Sequence, residues 1–469
     1  MQVEMDLNKN FRTRIAPSPT GEDIHIGNLY TALINWAFAK KNNGKFIIRI
    51  EDTDRERLVN GSEERILETI QNFGIIPDES PKIGGKYAPY RQSERIEIYK
   101  KYAEELIEKG HAYYCFCTKE RIDEIRKEQV LKKEVSRYDK YCLININDFS
   151  KRIEKNEKYV IRLNVASGRE IILNDVIRGE IKFQSDLLDD QILIKSDGYP
   201  TYHMAVVIDD HLMKISHVIR AEEWISSTPK HILIYEALGW ELPIFAHGPI
   251  LRNPDRSKLS KRKNPVWSSW YLDEGYLPEA VLNYLALMGW SHPEDKEIFS
   301  IDEYSNVFEL KDIKPVGPIF DINKLKWMNS EYIRALSEDE LKKKLIHYDK
   351  SLSTLLDDKN NLILLTLAKL RMRTLKDFKI LISDPQEIYI YSEEEKKIIE
   401  ILIDKIIAIK VWEKEKILDL LKKFSIEQNV SMKMMYLFLT GNSKGLPLPE
   451  MLEWRGKDIT LSNLKKIII

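Results

Sequence analysis

Cysteine is scarce. The 469-residue chain holds three, too few for a disulfide framework, which points to a reducing, intracellular setting. It has no run of 18 or more apolar residues, so no membrane association is expected. The opening MQVEMDLNKNFRTR lacks the apolar core of a secretory signal, and a cytoplasmic protein is expected. Neither sign of charge dominates, with 73 basic against 74 acidic residues and a net charge of −1. That balance argues against a nonspecific nucleic-acid coat, yet leaves room for an enzyme whose basic residues gather on one face. Internal repeats and low-complexity linkers are also missing. What is present is 43% apolar residues, enough for sizeable cores, in a chain long enough for three or more modules.

Near the N-terminus Tyr30, Leu33, Ile34, Ala37 and Phe38 recur at helical spacing, predicting a helix from about Asn28 to just before Gly44. FRTRIA before it and KFIIRI after it read as strands, so the segment predicts a βαβ unit of Rossmann type. A second half lies downstream. KISHVIR reads as a strand and STPKHILIYEALGW as a helix, with Thr228 as N-cap, Pro229 in the first turn and Gly239 past the end. Beyond about residue 325 the period is helical, as in Ile399, Leu402, Ile403 and Ile406 or Ile417, Leu420, Leu421 and Phe424. The expected fold is α/β with a split Rossmann-type parallel sheet. Its first half covers 1–95, an insertion holding all three cysteines covers 96–195, and the second half covers 196–250. A region with a basic loop then spans 251–325, and an all-α region spans 326–469.

Two loops carry the chemistry. IAPSPTGEDIHIGN lies at the carboxyl end of the first strand, ahead of a helix, where ligands bind in open α/β sheets and where anions are favoured. Pro17 and Pro19 would stiffen it, Gly21 would permit a tight turn, and Gly27 a close backbone approach. His25 would aim a ring nitrogen at an anion on the helix start; an exposed loop histidine is the plainer reading. DRSKLSKRK, residues 255–263, sets several cations on a loop after the second half. Such a run is usually a solvated surface loop, but flexible lysines also suit departing phosphates.

HIGN resembles the HIGH motif, and KLSKR the KMSKS motif, of class I aminoacyl-tRNA synthetases. RIAPSPTG, RIEDTD, PYRQSER, SDGYPTYH, VIRAEEW and LPEAVLNYLALMGW narrow the resemblance to the bacterial glutamyl-tRNA synthetases. It runs from about Arg14 through the chain, most densely before residue 330. There are departures. Asn28 replaces the second histidine of HIGH, and three residues separate Gly21 from His25 where many relatives have two.

The resemblance implies ATP-dependent activation of L-glutamate with Mg²⁺, then transfer to the terminal adenosine of tRNA(Glu), by a monomer whose activation waits for bound tRNA. It implies catalytic roles for His25, Lys258 and Lys261, and an ATP site of His25, Gly27, Asn28 and Lys261. The implied glutamate pocket is Arg14, Ser18, Glu51, Tyr202 and Arg220. A guanidinium fork suits a carboxylate and an acid suits an ammonium, which gives Arg220 the side-chain carboxylate and Glu51 the amine. It also implies an acceptor-stem role for the insertion and an anticodon-reading arginine at Arg371, where a surface charge on a helix end is the alternative. The helical C-terminal region separates the chain from glutaminyl-tRNA synthetases, whose anticodon-binding domains are β-barrels.

Cys115 and Cys117 form a C-x-C pair, with Cys142 further on. Three thiols suit a structural zinc lacking one ligand; three reduced, partly buried cysteines are the alternative. Family members with zinc carry a fourth ligand shortly after the last cysteine, but Ile144 stands there. Relatives without an anticodon domain use a tyrosine spaced as Tyr138 is, and these imply Tyr138 instead. Three other functions are weighed. A tRNA-modifying relative would end after the catalytic core. A non-catalytic synthetase-like protein would lose His25 or the second lysine. A generic nucleotidyltransferase would not explain the pocket residues.

Overall fold

The computed structural model describes residues 11–146, 148–260, 265–382, 389–443 and 445–468. The chain divides into two compact units, Met1–Trp270 with Leu282–Asp321, and Tyr271–Val281 with Ile322–Ile469.

In the first unit, β1 (Arg12–Ile15) is buried throughout and pairs in parallel with β2 (Lys45–Ile48), Arg12 opposite Lys45 and Ile15 opposite Ile48. Helix α1 (Ile26–Lys41) connects them, two residues ahead of the sequence expectation. It buries Leu29, Tyr30, Leu33, Ile34, Ala37 and Phe38, and also Ala32, Asn35 and Ala39. Burial on most of its circumference fits a helix packed on a parallel sheet rather than an amphipathic surface helix.

The stretch read as an insertion holds a three-stranded antiparallel sheet of β3 (Ala112–Cys115), β4 (Val160–Leu163) and β7 (Ile192–Ile194). It also holds β5 (Glu170–Asp175) and β6 (Gly179–Gln184), an antiparallel pair. β8 (His217–Ala221) and β9 (Ile244–Gly248) are parallel in the second half. β5 joins β9 in parallel, Asp175 opposite Phe245, so an edge of this sheet comes from within the 96–195 stretch. The two halves meet where the Ser216 N–H donates to the Arg12 carbonyl at 3.0 Å.

Helices Tyr202–Leu212 and Thr228–Leu238 pack through Met204, Ala205, Ile208, Ile234 and Tyr235 against Tyr99 and Leu106. Thr228 is not the N-cap. Ser227 precedes the helix and Thr228 is its first residue, its hydroxyl spent on Arg220 and the Trp224 carbonyl. Gly239 closes the helix at φ 73°, a left-handed conformation that favours glycine.

The second unit is helical. Ile399, Leu402, Ile403 and Ile406 are buried as their spacing predicts, with Ile417, Leu421 and Phe424, while Leu420 is half-buried. Leu277 and Ala280 of 271–281 enter the same core.

Candidate active site

The carboxyl ends of β1, β2 and β8 open onto a cavity of about 860 Å³, lined by Arg14, Ser18, Asn28, Glu51, Tyr202 and Arg220. A smaller cavity of about 250 Å³ is lined by His25, Gly27, Asn28, Glu223 and Lys258. Asn28 and Glu223 line both. The five glutamate-pocket candidates therefore share one cavity, and three of the four ATP-site candidates share its neighbour with the catalytic candidate Lys258. Lys261 lies outside the described residues.

Below the larger cavity runs a buried charge network. Arg14 donates through Nε to Asp210 Oδ1 at 3.0 Å and through Nη2 to Oδ2 at 3.1 Å. Arg49, fully buried, reaches Asp210 Oδ1 at 2.7 Å and Glu51 Oε1 at 3.2 Å, with Nε 3.7 Å from Asp209 Oδ2. Asp209 also accepts from Arg95 at 2.7 Å, Tyr99 at 2.8 Å and Gln92 at 3.0 Å. Three guanidinium groups thus face three carboxylates, the balance a desolvated cluster requires. Burial works to raise Asp210, but Arg14 and Arg49 outweigh it and hold its carboxyl below its ordinary value. At Glu51 burial wins over Arg49 and Arg14, and the carboxyl is pushed up to about 7. Arg49 opens the quoted RIEDTD without having been given a role, and no motif announced Asp209 or Asp210. A readable signal did exist, because two adjacent acids in the apolar helix HMAVVIDDHLM must be buried with partners.

Arg220 is buried and differs from Arg14. Its fork meets His247, Tyr202, His231 and Thr228, and no carboxylate pairs with it among the described residues. Burial lowers its pKa, the mark of a cation held without a directly paired anion.

His25 caps α1. Its Nδ1 accepts the Gly27 N–H at 3.0 Å, so the ring proton sits on Nε2. A Cβ at Gly27 would lie 3.2 Å from that Nδ1. Gly21 was expected to permit a tight turn, and the chain does bend over 19–23, with the φ of Gly21 outside the left-handed region. It is also needed for a close approach, since a Cβ there would lie 2.6 Å from Trp267 Cη2. The chain returning from the lysine loop is pinned to this loop, with Ile26 N–H on the Val266 carbonyl at 2.7 Å and Ser268 N–H on the Ile24 carbonyl at 3.0 Å. Leu251 and Leu259 pair at the base of the lysine loop, and the Lys258 ammonium bonds to Glu223.

Elsewhere, the Sγ atoms of Cys115, Cys117 and Cys142 lie within 4.8 Å of one another. Tyr138 Oη is 3.2 Å from Cys117 Sγ and accepts the Cys142 N–H at 3.0 Å. Hydrogen bonding to Cys142 draws the Cys115 thiol down to about 4 against its burial. Three sulfurs and a phenol oxygen converge, a donor set that suits a tetrahedral zinc. Ile144 is exposed and offers no donor. Arg371 is exposed, with its guanidinium 6.0 Å from the Tyr436 ring and bonded to the Gly445 carbonyl.

Comparison with known proteins accords with this geometry. Residues 10–327 match the family described as tRNA synthetases class I (E and Q), catalytic domain, and residues 322–468 match an anticodon binding domain. The glutamate–tRNA ligase of Psychrobacter sp. (strain PRwf-1) is 42% identical over 475 residues, covering 97% of this chain and 92% of that protein. That of Cellvibrio japonicus (strain Ueda107) is 41% identical, covering 97% and 93%. The crystal structure of a glutamate tRNA ligase from Elizabethkingia meningosepticum CCUG26117, in complex with its amino acid, superposes with a TM-score of 0.83. It is 37% identical, over 98% of this chain and 99% of that one.

Proposed function

The chain belongs to the class I tRNA synthetases for glutamate and glutamine, and from that membership we propose that it works as a glutamate–tRNA ligase. The observation that carries the choice of amino acid is the pairing of Arg220 and Glu51 in one cavity. Arg220 is a buried cation whose hydrogen-bond partners among the described residues are all uncharged, which suits the side-chain carboxylate of glutamate. Glu51 suits the ammonium, and Tyr202 and Ser18 line the space between substrate and wall.

In the first step an α-carboxylate oxygen of glutamate attacks the α-phosphorus of ATP, and the bond to pyrophosphate breaks. Positioning and charge stabilisation supply most of the catalysis. His25 donates from Nε2 to a phosphate oxygen, Asn28 holds the nucleotide by its amide, and Lys258 and Lys261 compensate charge on the departing pyrophosphate. Mg²⁺ bound with ATP would help neutralise charge on its phosphates. In the second step a hydroxyl of the terminal tRNA adenosine attacks the carbonyl carbon, and AMP leaves. Cys115, Cys117, Cys142 and Tyr138 would hold a structural zinc in the insertion, which would support the acceptor end. Arg371 reads the anticodon, a role for which a guanidinium that pairs with or stacks on bases is suited. The enzyme acts as a cytoplasmic monomer.

ATP–pyrophosphate exchange with glutamate, with and without tRNA(Glu), tests this reading. Wild type should exchange only with tRNA present, and Lys261→Ala should lose about 100-fold or more in rate, as when a transition-state charge donor is removed. A folded wild type that binds tRNA without any exchange would sink the ligase reading.

A further inference from the structure

Arg220 is 6% exposed, and what holds it is informative. A guanidinium has no acceptor, so each ring nitrogen it meets is unprotonated. Nε donates to His247 Nε2 at 3.1 Å, and Nη1 donates to Tyr202 Oη at 3.2 Å and His231 Nδ1 at 3.3 Å. Nη2 donates to Thr228 Oγ1 at 2.8 Å. The His247 proton is therefore on Nδ1, which lies 2.6 Å from Asp175 Oδ2. The His231 proton is on Nε2, 3.0 Å from His203 Nδ1. Asp175 is itself fixed, because it accepts the backbone N–H groups of His247, Ile177 and Arg178 at 3.0 Å each.

We propose that His247, held by Asp175, is a positioning residue that aims the Arg220 fork at the substrate's side-chain carboxylate and thereby sets the choice of glutamate over glutamine. The inference rests on the reading of this cavity as the glutamate pocket. An arginine clamped by a carboxylate, as Arg14 is by Asp210, already has its counter-charge. At Arg220 an imidazole stands between the guanidinium and Asp175, so the ring orients the fork without neutralising it. The positive charge then remains for an anionic ligand. Glutamine, with a neutral amide in the same place, would leave a buried charge uncompensated, the kind of mismatch that gives strong discrimination. Burial, outweighing Asp175, holds His247 below its ordinary pKa, and burial with the Arg220 charge does the same at His231. Both rings therefore stay acceptors near neutral pH.

The test uses the full-length enzyme with tRNA(Glu) in ATP–pyrophosphate exchange, varying glutamate, glutamine and ATP separately, for wild type, His247→Leu and His247→Gln. Leucine removes the acceptor; glutamine keeps one toward Arg220. A hydrogen bond to a charged group corresponds to about tenfold to hundredfold in affinity, so His247→Leu should raise the glutamate KM by that factor. Its kcat and ATP KM should stay within about twofold of wild type by the same reasoning. Glutamine use should be unchanged, so the preference for glutamate falls by the factor lost, and His247→Gln should regain most of it. If the leucine variant does not fold, His247→Phe keeps ring volume beside Phe245 and should show the same shift. An unchanged glutamate KM in an active, folded variant overturns this inference alone. So does a loss shared by glutamate and ATP that His247→Gln does not rescue. Absence of glutamate-dependent exchange in wild type overturns the ligase reading, and this inference with it.

Discussion

The Glu51 carboxyl sits at about 7 because burial outweighs Arg49 and Arg14. A carboxyl raised in the folded state binds more protons there than in the unfolded chain between its ordinary value of 4.5 and about 7. Its contribution to stability therefore falls as pH rises through that window and is constant above it. Glu51→Gln keeps an acceptor for Arg49 and removes the titration. The gap in Tm between the variant and wild type should widen from pH 5 to 7 in favour of the variant and then level off. A gap that stays flat would contradict the assignment. The same carboxyl must be ionised to meet an ammonium. The wild-type glutamate KM should therefore climb as pH drops below about 7, and this rise should vanish in Glu51→Gln, whose KM is high throughout. Binding of glutamate below pH 7 should release a proton, measurable as a buffer-dependent heat.

At the first turn of α1, His25 has two duties that substitutions can separate. Asparagine caps a helix about as well as any residue, and alanine costs about 1 kcal/mol. His25→Asn should keep the wild-type Tm while losing exchange activity, whereas His25→Ala should lose both. Equal activity in His25→Asn and wild type would leave the imidazole with the cap alone. The start of α1 was legible in the sequence because HIGN follows a strand and precedes a helical period. At Gly21 the bend was legible but the close approach was not: its partner Trp267 is 246 positions away, and local sequence cannot announce a long-range contact. β5 and β6 were hidden the same way. Alternation predicts a strand but does not name its neighbour, so the pairing of Asp175 with Phe245 had no signature. The pocket residues inside quoted motifs could be placed by resemblance, while Asp175 and His247 act through other side chains and carry no motif of their own, and Arg49, although inside RIEDTD, shows its role only through its buried partners.

At the scale of the whole chain the compact units do not follow a single cut. Leu277 and Ala280 belong to the core otherwise built from residue 333 onward. A fragment ending at residue 321 would leave them uncovered and is expected to aggregate, with light scattering as the measurement. A monodisperse fragment would show that 271–281 can bury itself elsewhere. Zinc is a second test. The purified protein should carry about one zinc per chain, as a four-ligand structural site holds. Cys142→Ser should lose it and melt earlier, and a metal-free wild type with unchanged Tm would count against the site. β5 matters most to anyone who would recombine this enzyme. Asp175 is encoded within the stretch 96–195, yet its oxygen holds the ring beneath Arg220. A chimera that swaps that stretch for a relative's would import a new support for the Arg220 cavity along with the rest of the insertion. Crossover points that spare 170–184 should yield hybrids that keep their substrate, while those that exchange it make amino-acid choice a heritable property of the graft.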